Sequence, residues 1–223
     1  MSARAEVAII DYGVGNLRSV GKAFEATGCE AIVSADIGVL RAAKRLVLPG
    51  VGAFGACMKA LGERGFDEVV RERAAEGTPI LGVCVGMQML FEESEEFGRT
   101  RGLGLLGGRV RRFSQELLVP QTGWNQVWPQ ISHQISHQIS HQISPRGSHP
   151  LLEGIEEGTF FYFVHSFYCE PSEREVVCAE TEYGARYASV VAREAICGVQ
   201  FHPEKSQSAG LRLLRNFASL ESA

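Results

Sequence analysis

A short apolar run that ends in a glycine–cysteine–glycine turn constrains the fold of this chain more than any other feature. Residues 80–92 read ILGVCVGMQMLFE, with Gly82 and Gly86 two positions to either side of Cys84. The apolar run predicts a buried strand, and the apolar spacing from Met87 onward predicts a helix directly after it. Glycines at this spacing let other backbone segments approach closely. A sharp strand-to-helix turn of this kind indicates an α/β sheet.

The same turn holds a cysteine where strand–nucleophile–helix motifs carry their reactive residue. The free N–H groups and the positive dipole end of the helix would lower the pKa of the Cys84 thiol. The backbone N–H of Val85 would point at an oxyanion beside Cys84, and the amide of Gln88, one helical turn further, could touch a bound substrate. The alternative is a small core cysteine at a strand end, since cysteine is among the most buried residue types.

Strands and helices alternate in the first half of the chain, and strands dominate the second half. The first half predicts strands at 6–11, 29–34 and 45–48 and helices at 16–27, 56–63 and 66–76. The second half predicts strands at 103–113, 123–127, 158–167, 175–179, 185–193 and 195–201, and a helix at 208–220. We therefore expect an α/β fold, with a doubly wound, mostly parallel sheet and an antiparallel extension, in one domain over residues 1–223.

Two glycine-rich turns follow predicted strands. Residues 12–16 read YGVGN, and Asn16 is predicted to cap the helix that follows. Asp36, about 20 residues further on, is compatible with a dinucleotide site, but Arg18 replaces the third glycine, so a plain turn is favoured. Residues 49–55 read PGVGAFG and can present an N–H group to an oxyanion; the alternative there is a flexible connection.

Composition narrows the class of protein. The net charge of −4 gives no support for nucleic-acid binding. No apolar run reaches the roughly 18 residues of a membrane span. The six cysteines are spread out without a C-x-x-C pair, which argues against a zinc site or a disulfide framework and favours a reducing cytoplasm. We predict no metal and no cofactor.

One segment differs in character from the rest of the chain. Residues 130–144 read QISHQISHQISHQIS, a tetrapeptide repeated without variation. A packed core does not produce such repetition, because each core site has its own shape. On a helix, His133, His137 and His141 would lie four apart and could bind a metal. We favour a low-complexity insertion without a role, bounded by residues 129–148.

Residues 197–206 read CGVQFHPEKS and supply the partners that a cysteine nucleophile needs. In an extended segment residues two apart point the same way, so His202 and Glu204 can lie side by side. Glu204 would fix the tautomer of His202, which would take the proton from Cys84. A surface turn is the alternative for this segment. The sharp turn at Cys84 (the elbow), the glycine-rich loop at residues 49–55 and the His-x-Glu pair together favour a Cys-His-Glu triad.

These motifs resemble known signatures over nearly the whole chain apart from residues 129–148. GVCVGMQ and FHPE resemble those of the class I, triad-type glutamine amidotransferases. More narrowly, IDYGVGNLRSV, LPGVGAFG, GWNQV, YFVHSFY and GVQFHPEKS resemble the glutaminase subunits of imidazole glycerol phosphate synthases. Gln121 stands where many relatives have histidine, and the tetrapeptide repeat has no familiar counterpart there.

The resemblance implies a flavodoxin-like fold and a glutaminase mechanism in which Cys84 attacks the side-chain amide of glutamine, supported by His202 and Glu204. The oxyanion and substrate groups that it implies are Val51, Gly52, Val85, Gln88, His165, Ser166 and Phe167. The implied partner is a (β/α)8 cyclase subunit that receives ammonia through a channel, in a cytoplasmic heterodimer. The interface positions that it implies are Trp124, Tyr162 and Lys205.

A partner is also expected on chemical grounds, because the sequence has no P-loop or second nucleotide motif to hold an acceptor substrate. Ammonia released into water at neutral pH is largely protonated and is then no nucleophile. Three alternatives stay open. They are an amidotransferase subunit that serves a different synthase, a non-catalytic sensor or chaperone on the same fold, and a cysteine peptidase or esterase.

Overall fold

The computed structural model describes residues 6–130 and 149–222. In these ranges the strands are β1 (Val7–Ile10), β2 (Ala31–Ser34), β3 (Arg45–Gly50), β4 (Ile80–Cys84), β5 (Phe91–Ser94), β6 (Thr100–Arg101), β7 (Leu106–Arg112), β8 (Gln121–Pro129), β9 (Thr159–His165), β10 (Phe167–Pro171), β11 (Val177–Tyr183), β12 (Ala185–Arg193) and β13 (Ile196–Val199). The helices are α1 (Leu17–Ala26), α2 (Ile37–Ala42), α3 (Phe54–Glu63), α4 (Phe66–Ala75), α5 (Val85–Met89) and α6 (Gln207–Ala218).

A block of parallel strands forms the centre of the sheet, in the order β2, β1, β3, β4, β13. Beyond β13 the sheet becomes mixed, because β12 pairs antiparallel with β13 and continues to β10, β7, β5 and β6. Strands β11, β8 and β9 branch from β12 through antiparallel pairs. The arrangement confirms the predicted α/β fold with its mostly parallel sheet and antiparallel extension.

The core lies on both faces of the parallel block. Strand β1 is fully buried along its length, as expected for a parallel strand covered by helices on both sides. Helix α1 packs on α6 through Phe24 and Phe217, whose rings meet edge to face with centroids 6.3 Å apart. Burying one such side chain stabilises the fold by roughly 2–3 kcal/mol.

The helix after Cys84 is shorter than its apolar spacing predicts. It ends at Met89, and the prediction that it continues through Leu90 and Phe91 is wrong. Phe91 instead pairs with Leu106 in a parallel ladder between β5 and β7. Backbone pairing in the sheet therefore overrides the helical periodicity at this point.

Helix α2 was not predicted from the sequence. It has only six residues, too few to show a periodicity, and one residue, Leu40, is buried. Its start is fixed by Asp36, whose carboxylate accepts a hydrogen bond from the Val39 N–H at 3.0 Å. The Asp36 carboxylate therefore caps a helix, whereas a dinucleotide site would need it to bind a ribose hydroxyl.

The tetrapeptide repeat falls almost wholly outside the described residues, and so do His133, His137 and His141. The single-domain assignment and the 129–148 insertion stay predictions. In the part of the chain that the structure describes, no helix has both the length and the apolar character needed to span a membrane.

Candidate active site

Three neighbouring parallel strands bring the predicted site residues to one edge of the sheet. Strand β3 leads into the 49–52 loop, β4 ends at Cys84, and β13 leads to His202. The registers align these ends, because Gly50 pairs with Cys84 and Val83 pairs with Val199. Ligands of open α/β sheets bind at this carboxyl edge.

The turn at Cys84 has the strained geometry that its glycines predict. Cys84 has φ 56° and ψ −114°, a region that side chains other than glycine rarely adopt. A Cβ atom on Gly86 would lie 1.8 Å from the Leu48 carbonyl oxygen, and one on Gly82 would lie 2.6 Å from the Gly86 oxygen. The two glycines therefore allow the turn to pack directly on β3 and hold Cys84 in place.

His202 and Glu204 form a buried pair. His202 Nδ1 lies 2.9 Å from Glu204 Oε1, and the two side chains are 4% and 0% exposed. The segment is a 3₁₀ turn from Pro203 to Lys205, not the extended stretch that the sequence predicts. The turn still brings the carboxylate back onto the imidazole, and because the carboxylate can only accept, Nδ1 carries the proton.

Cys84 and His202 line one cavity of about 440 Å³. Burial alone lowers the pKa of His202, but the neighbouring Cys84 and Glu204 outweigh it and raise the pKa to about 10. Within the described residues His202 Nε2 completes no hydrogen bond. The Cys84 side chain nevertheless lies close enough to be the largest of the effects that raise this pKa, and long hydrogen bonds are common in a catalytic pair without substrate.

The same cavity collects all seven predicted oxyanion and substrate residues. They are Val51, Gly52, Val85, Gln88, His165, Ser166 and Phe167. The sequence did not indicate Glu96, Phe97, Arg112 and Val164, which also line it. These four come from loops and strand ends that only the fold brings next to Cys84.

The glycine loop after β3 is tied down by two of its carbonyl groups. The buried Tyr12 hydroxyl donates to the Pro49 oxygen at 2.6 Å, and the Cys57 thiol donates to the Val51 oxygen at 3.3 Å. In a trans peptide the N–H points opposite to the carbonyl, so the Gly52 N–H faces away from Cys57. The peptide planes of this loop are therefore fixed before any ligand binds.

Comparison with known proteins identifies the family. A family model described as class-I glutamine amidotransferase matches residues 8–220. The chain belongs to the class-I glutamine amidotransferases.

Relatives place the amidotransferase more narrowly. Imidazole glycerol phosphate synthase subunit HisH of Aromatoleum aromaticum is 47% identical, over 96% of this chain and 98% of the relative. The HisH subunit of Geobacter metallireducens is 46% identical, over 96% of this chain and 98% of the relative. These matches confirm the resemblance found in the sequence, and the amidotransferase is an enzyme of the HisH group.

Solved structures confirm the fold. A crystal structure of a glutamine amidotransferase has a TM-score of 0.71 at 21% identity and covers 97% of this chain and 100% of its own. The structure of PurLQS from Thermotoga maritima has a TM-score of 0.70 at 17% identity, with coverage of 96% and 97%.

A buried pair of glutamines lies next to Cys84 in the amidotransferase. Gln88 Nε2 donates to the Phe167 oxygen at 3.0 Å and to Gln200 Oε1 at 3.1 Å, so both of its N–H groups are used within the protein. Gln200 Nε2 in turn lies 3.8 Å from Cys84 Sγ. Gln200 is fully buried, and the sequence analysis missed it. The available signal was a polar amide between two apolar residues, Val199 and Phe201.

His165 is a neutral group in the wall of the cavity. Its burial lowers its pKa to about 4, and its Nδ1 lies 2.8 Å from the Phe167 carbonyl oxygen, which can only accept. Its Nε2 lies 3.3 Å from the oxygen of the Tyr187 hydroxyl, and that hydroxyl donates its proton to Gln121 Oε1 at 2.9 Å. The unusual Gln121 is thus part of the hydrogen-bonded wall and not part of the triad.

Asn16 occupies the capping position of α1, but its side chain makes no capping hydrogen bond. The prediction that it caps this helix is therefore wrong for the side chain. The amide instead donates to Glu204 Oε1 at 3.4 Å. Sequence patterns gave no sign of this contact, which joins the two ends of the chain.

Proposed function

We propose that the amidotransferase hydrolyses glutamine to glutamate and ammonia through a Cys84–His202–Glu204 triad. We also propose that it supplies the ammonia to a (β/α)8 cyclase partner that forms imidazole glycerol phosphate in histidine biosynthesis. The observation that carries the proposal is the buried His202–Glu204 pair, whose His202 lines the same cavity as the strained Cys84.

The first half-reaction follows from the charge state of the site. The raised pKa of His202 allows its imidazole to hold the proton that the Cys84 thiol gives up when it attacks. The Cys84 sulfur attacks the amide carbon of glutamine, and His202 passes its proton to the leaving nitrogen, which departs as ammonia. A thioester between Cys84 and the glutamyl group remains.

The second half-reaction regenerates the site. Neutral His202 takes a proton from water, the hydroxide equivalent attacks the thioester, and the thiolate leaves as glutamate forms. Glu204 keeps the His202 ring oriented through the 2.9 Å hydrogen bond. Backbone N–H groups of Val85 and Gly52 are the proposed oxyanion donors, each worth roughly 3 kcal/mol in the transition state.

A face beside the cavity supports a partner. Trp124 is 46% exposed and meets Tyr162 edge to face, with centroids 6.1 Å apart. Lys205 Nζ lies 5.5 Å from the centroid of the same tyrosine ring. Phe97, which lines the cavity, is 94% exposed. Exposed aromatic side chains around a cationic group are typical of a protein interface.

The test is ammonia release from glutamine, with and without the cyclase and its nucleotide ligand. We expect weak activity alone, strong stimulation by the cyclase, and loss of activity in Cys84→Ser and in His202→Ala. Cys29→Ser, a half-buried cysteine remote from the cavity, is the matched control and should keep full activity. Activity that survives in Cys84→Ser would overturn the triad.

The same assay separates the alternatives. Stimulation by another synthase instead of the cyclase would indicate a different amidotransferase complex. Cleavage of acyl esters without any turnover of glutamine would indicate a peptidase or esterase. The cytoplasmic location, predicted from the spaced cysteines, stays a prediction.

A further inference from the structure

We infer that Asn16 is a positioning residue that holds the Glu204 carboxylate against His202. Its Nδ2 lies 3.4 Å from Glu204 Oε1, although 188 residues separate the two in sequence. Asn16 lies in the YGVGN turn, residues 12–16. Its two glycines have the spacing of the first two in a nucleotide-binding loop, but its Asn16 side chain contacts Glu204 of the proposed triad. The inference rests on the proposed glutaminase function.

The Glu204 carboxylate needs a second donor. Its side chain is 0% exposed, so water does not solvate its charge. A carboxylate offers about four acceptor positions, and the His202 Nδ1 proton takes one of them. Among the described residues, Asn16 is the only other donor to Glu204, and Glu204 Oε2 has no partner. Without Asn16 the imidazole alone would hold the carboxylate.

The backbone around Asn16 is fixed independently of this contact. Its carbonyl oxygen accepts from the N–H groups of Ser19 and Val20, each at 3.0 Å, as the first bonds of α1. Gly15, at φ +121°, packs so closely that a Cβ there would lie 3.1 Å from Pro49 Cβ. The amide is thus carried on a rigid turn, and pointing it at Glu204 gives up the capping bond that asparagine usually makes.

The chemical roles of the two side chains agree with their placement. An ionised carboxylate can only accept, so the amide must present its N–H to Glu204 Oε1. A neutral donor restrains the carboxylate without adding charge to the site, and leaves His202 Nδ1 bound to an acceptor that cannot rotate away. Asn16 touches neither substrate nor sulfur and acts only through Glu204.

Asn16→Ala and Asn16→Asp test the inference in the presence of the cyclase. Asn16→Ala should lower kcat roughly tenfold, the usual cost of losing such a supporting partner, and leave KM for glutamine unchanged. In Asn16→Asp two adjacent carboxyl groups share a proton, so one pKa rises. When protonated, that group donates like the amide, and when ionised it repels Glu204. The ratio of its kcat to wild type should therefore fall as the pH rises.

Asn216→Ala is the matched control, because Asn216 donates to the Leu151 and Glu153 carbonyl groups, far from the triad. It should lower the melting temperature and leave kcat unchanged at every pH. A wild-type kcat in Asn16→Ala, or a ratio for Asn16→Asp that is constant with pH, would overturn the inference. Activity retained in Cys84→Ser would instead overturn the proposed function on which it rests.

Discussion

Two histidines in the same cavity are both buried, yet their pKa values move in opposite directions. Burial lowers the pKa of His165 to about 4, because its hydrogen-bonding partners carry no charge that would favour the imidazolium. His202 is also desolvated, but Cys84 and Glu204 raise its pKa to about 10. The neighbours of each ring therefore decide which histidine can act as an acid and which stays neutral.

The neutral His165 makes stability depend on pH. Its pKa is about 4 when folded and 6.5 in the unfolded chain, so between these values the unfolded state binds more protons. The free energy of unfolding should fall by up to roughly 3 kcal/mol as the pH falls from 6.5 to 4. Urea unfolding at several pH values should show this slope, and His165→Gln should reduce it.

His149 serves as an internal reference for that experiment. Burial lowers its pKa to about 4 as well, so its contribution persists in His165→Gln and cancels from the difference. Equal slopes in wild type and variant would contradict the assignment of His165 as a neutral buried group.

Residue types and spacing predicted the three residues of the proposed triad but not the side chains that contact them. Cys84, His202 and Glu204 stand in short motifs whose chemistry can be read locally. Gln200 and Asn16 act through contacts with residues more than a hundred positions away, and neither motif nor periodicity reports such contacts. A polar side chain in an apolar run was the one usable signal, at Gln200.

At the scale of elements, the site depends on backbone contact between the elbow and β3. Gly86 has no room for a side chain, because its Cβ would overlap the Leu48 carbonyl group. The 49–52 loop and the nucleophile are therefore held at a fixed distance by main-chain packing. Movement of β3 relative to β4 would displace both together.

Gly86→Ala tests this contact. We expect it to destabilise the fold by more than about 3 kcal/mol and to abolish activity, since backbone would have to move. The matched control is Gly62→Ala in α3, where a Cβ would meet nothing closer than Asp67 Oδ1 at 4.0 Å. That helical change should stabilise by about 1 kcal/mol in urea unfolding. A well-folded, active Gly86→Ala would contradict the packing argument.

Most elements could be predicted because their apolar periods match their burial. The two exceptions have different causes. The residues after Met89 have helical spacing but are drawn into β5 by pairing with β7, and α2 is too short to show a period. Nor could the order of strands be predicted, because pairing between distant segments leaves no local pattern.

At the scale of the whole molecule, the cavity opens beside an exposed aromatic face on β8 and β9. Trp124 pairs across the strands with Tyr162, next to Lys205. Trp128 lies four residues further along β8, with similar exposure, but lines a separate groove. Trp124 is thus joined through Tyr162 to Lys205, which lines the cavity, whereas Trp128 lines the separate groove.

Trp124 and Trp128 together test where the cyclase binds. Trp124→Ala should weaken binding of the cyclase by roughly 2 kcal/mol, the cost of losing an aromatic anchor. Trp128→Ala should bind within about twofold of wild type, since it lies outside the proposed face. Titration calorimetry with the cyclase measures both, and equal losses in the two variants would contradict the placement of the interface.

The tetrapeptide repeat is expected to contribute nothing to catalysis. Deleting residues 130–144 should leave glutamine hydrolysis and its stimulation by the cyclase unchanged, because every described residue that lines the cavity lies outside this segment. Circular dichroism would establish that the shortened chain folds. Loss of activity in a folded deletion variant would assign a role to the repeat.

The position of β13, between β4 and β12, has a consequence for how the enzyme is made. The ribosome delivers β13 after the other described strands, yet β13 lies in the middle of the sheet and leads to His202, the proposed general base. Until then β4 and β12 present open edges, and Cys84 lacks the imidazole of His202. Synthesis of β13 therefore closes the sheet and brings His202 to Cys84 in one event, so the proposed triad cannot form before the sheet is complete.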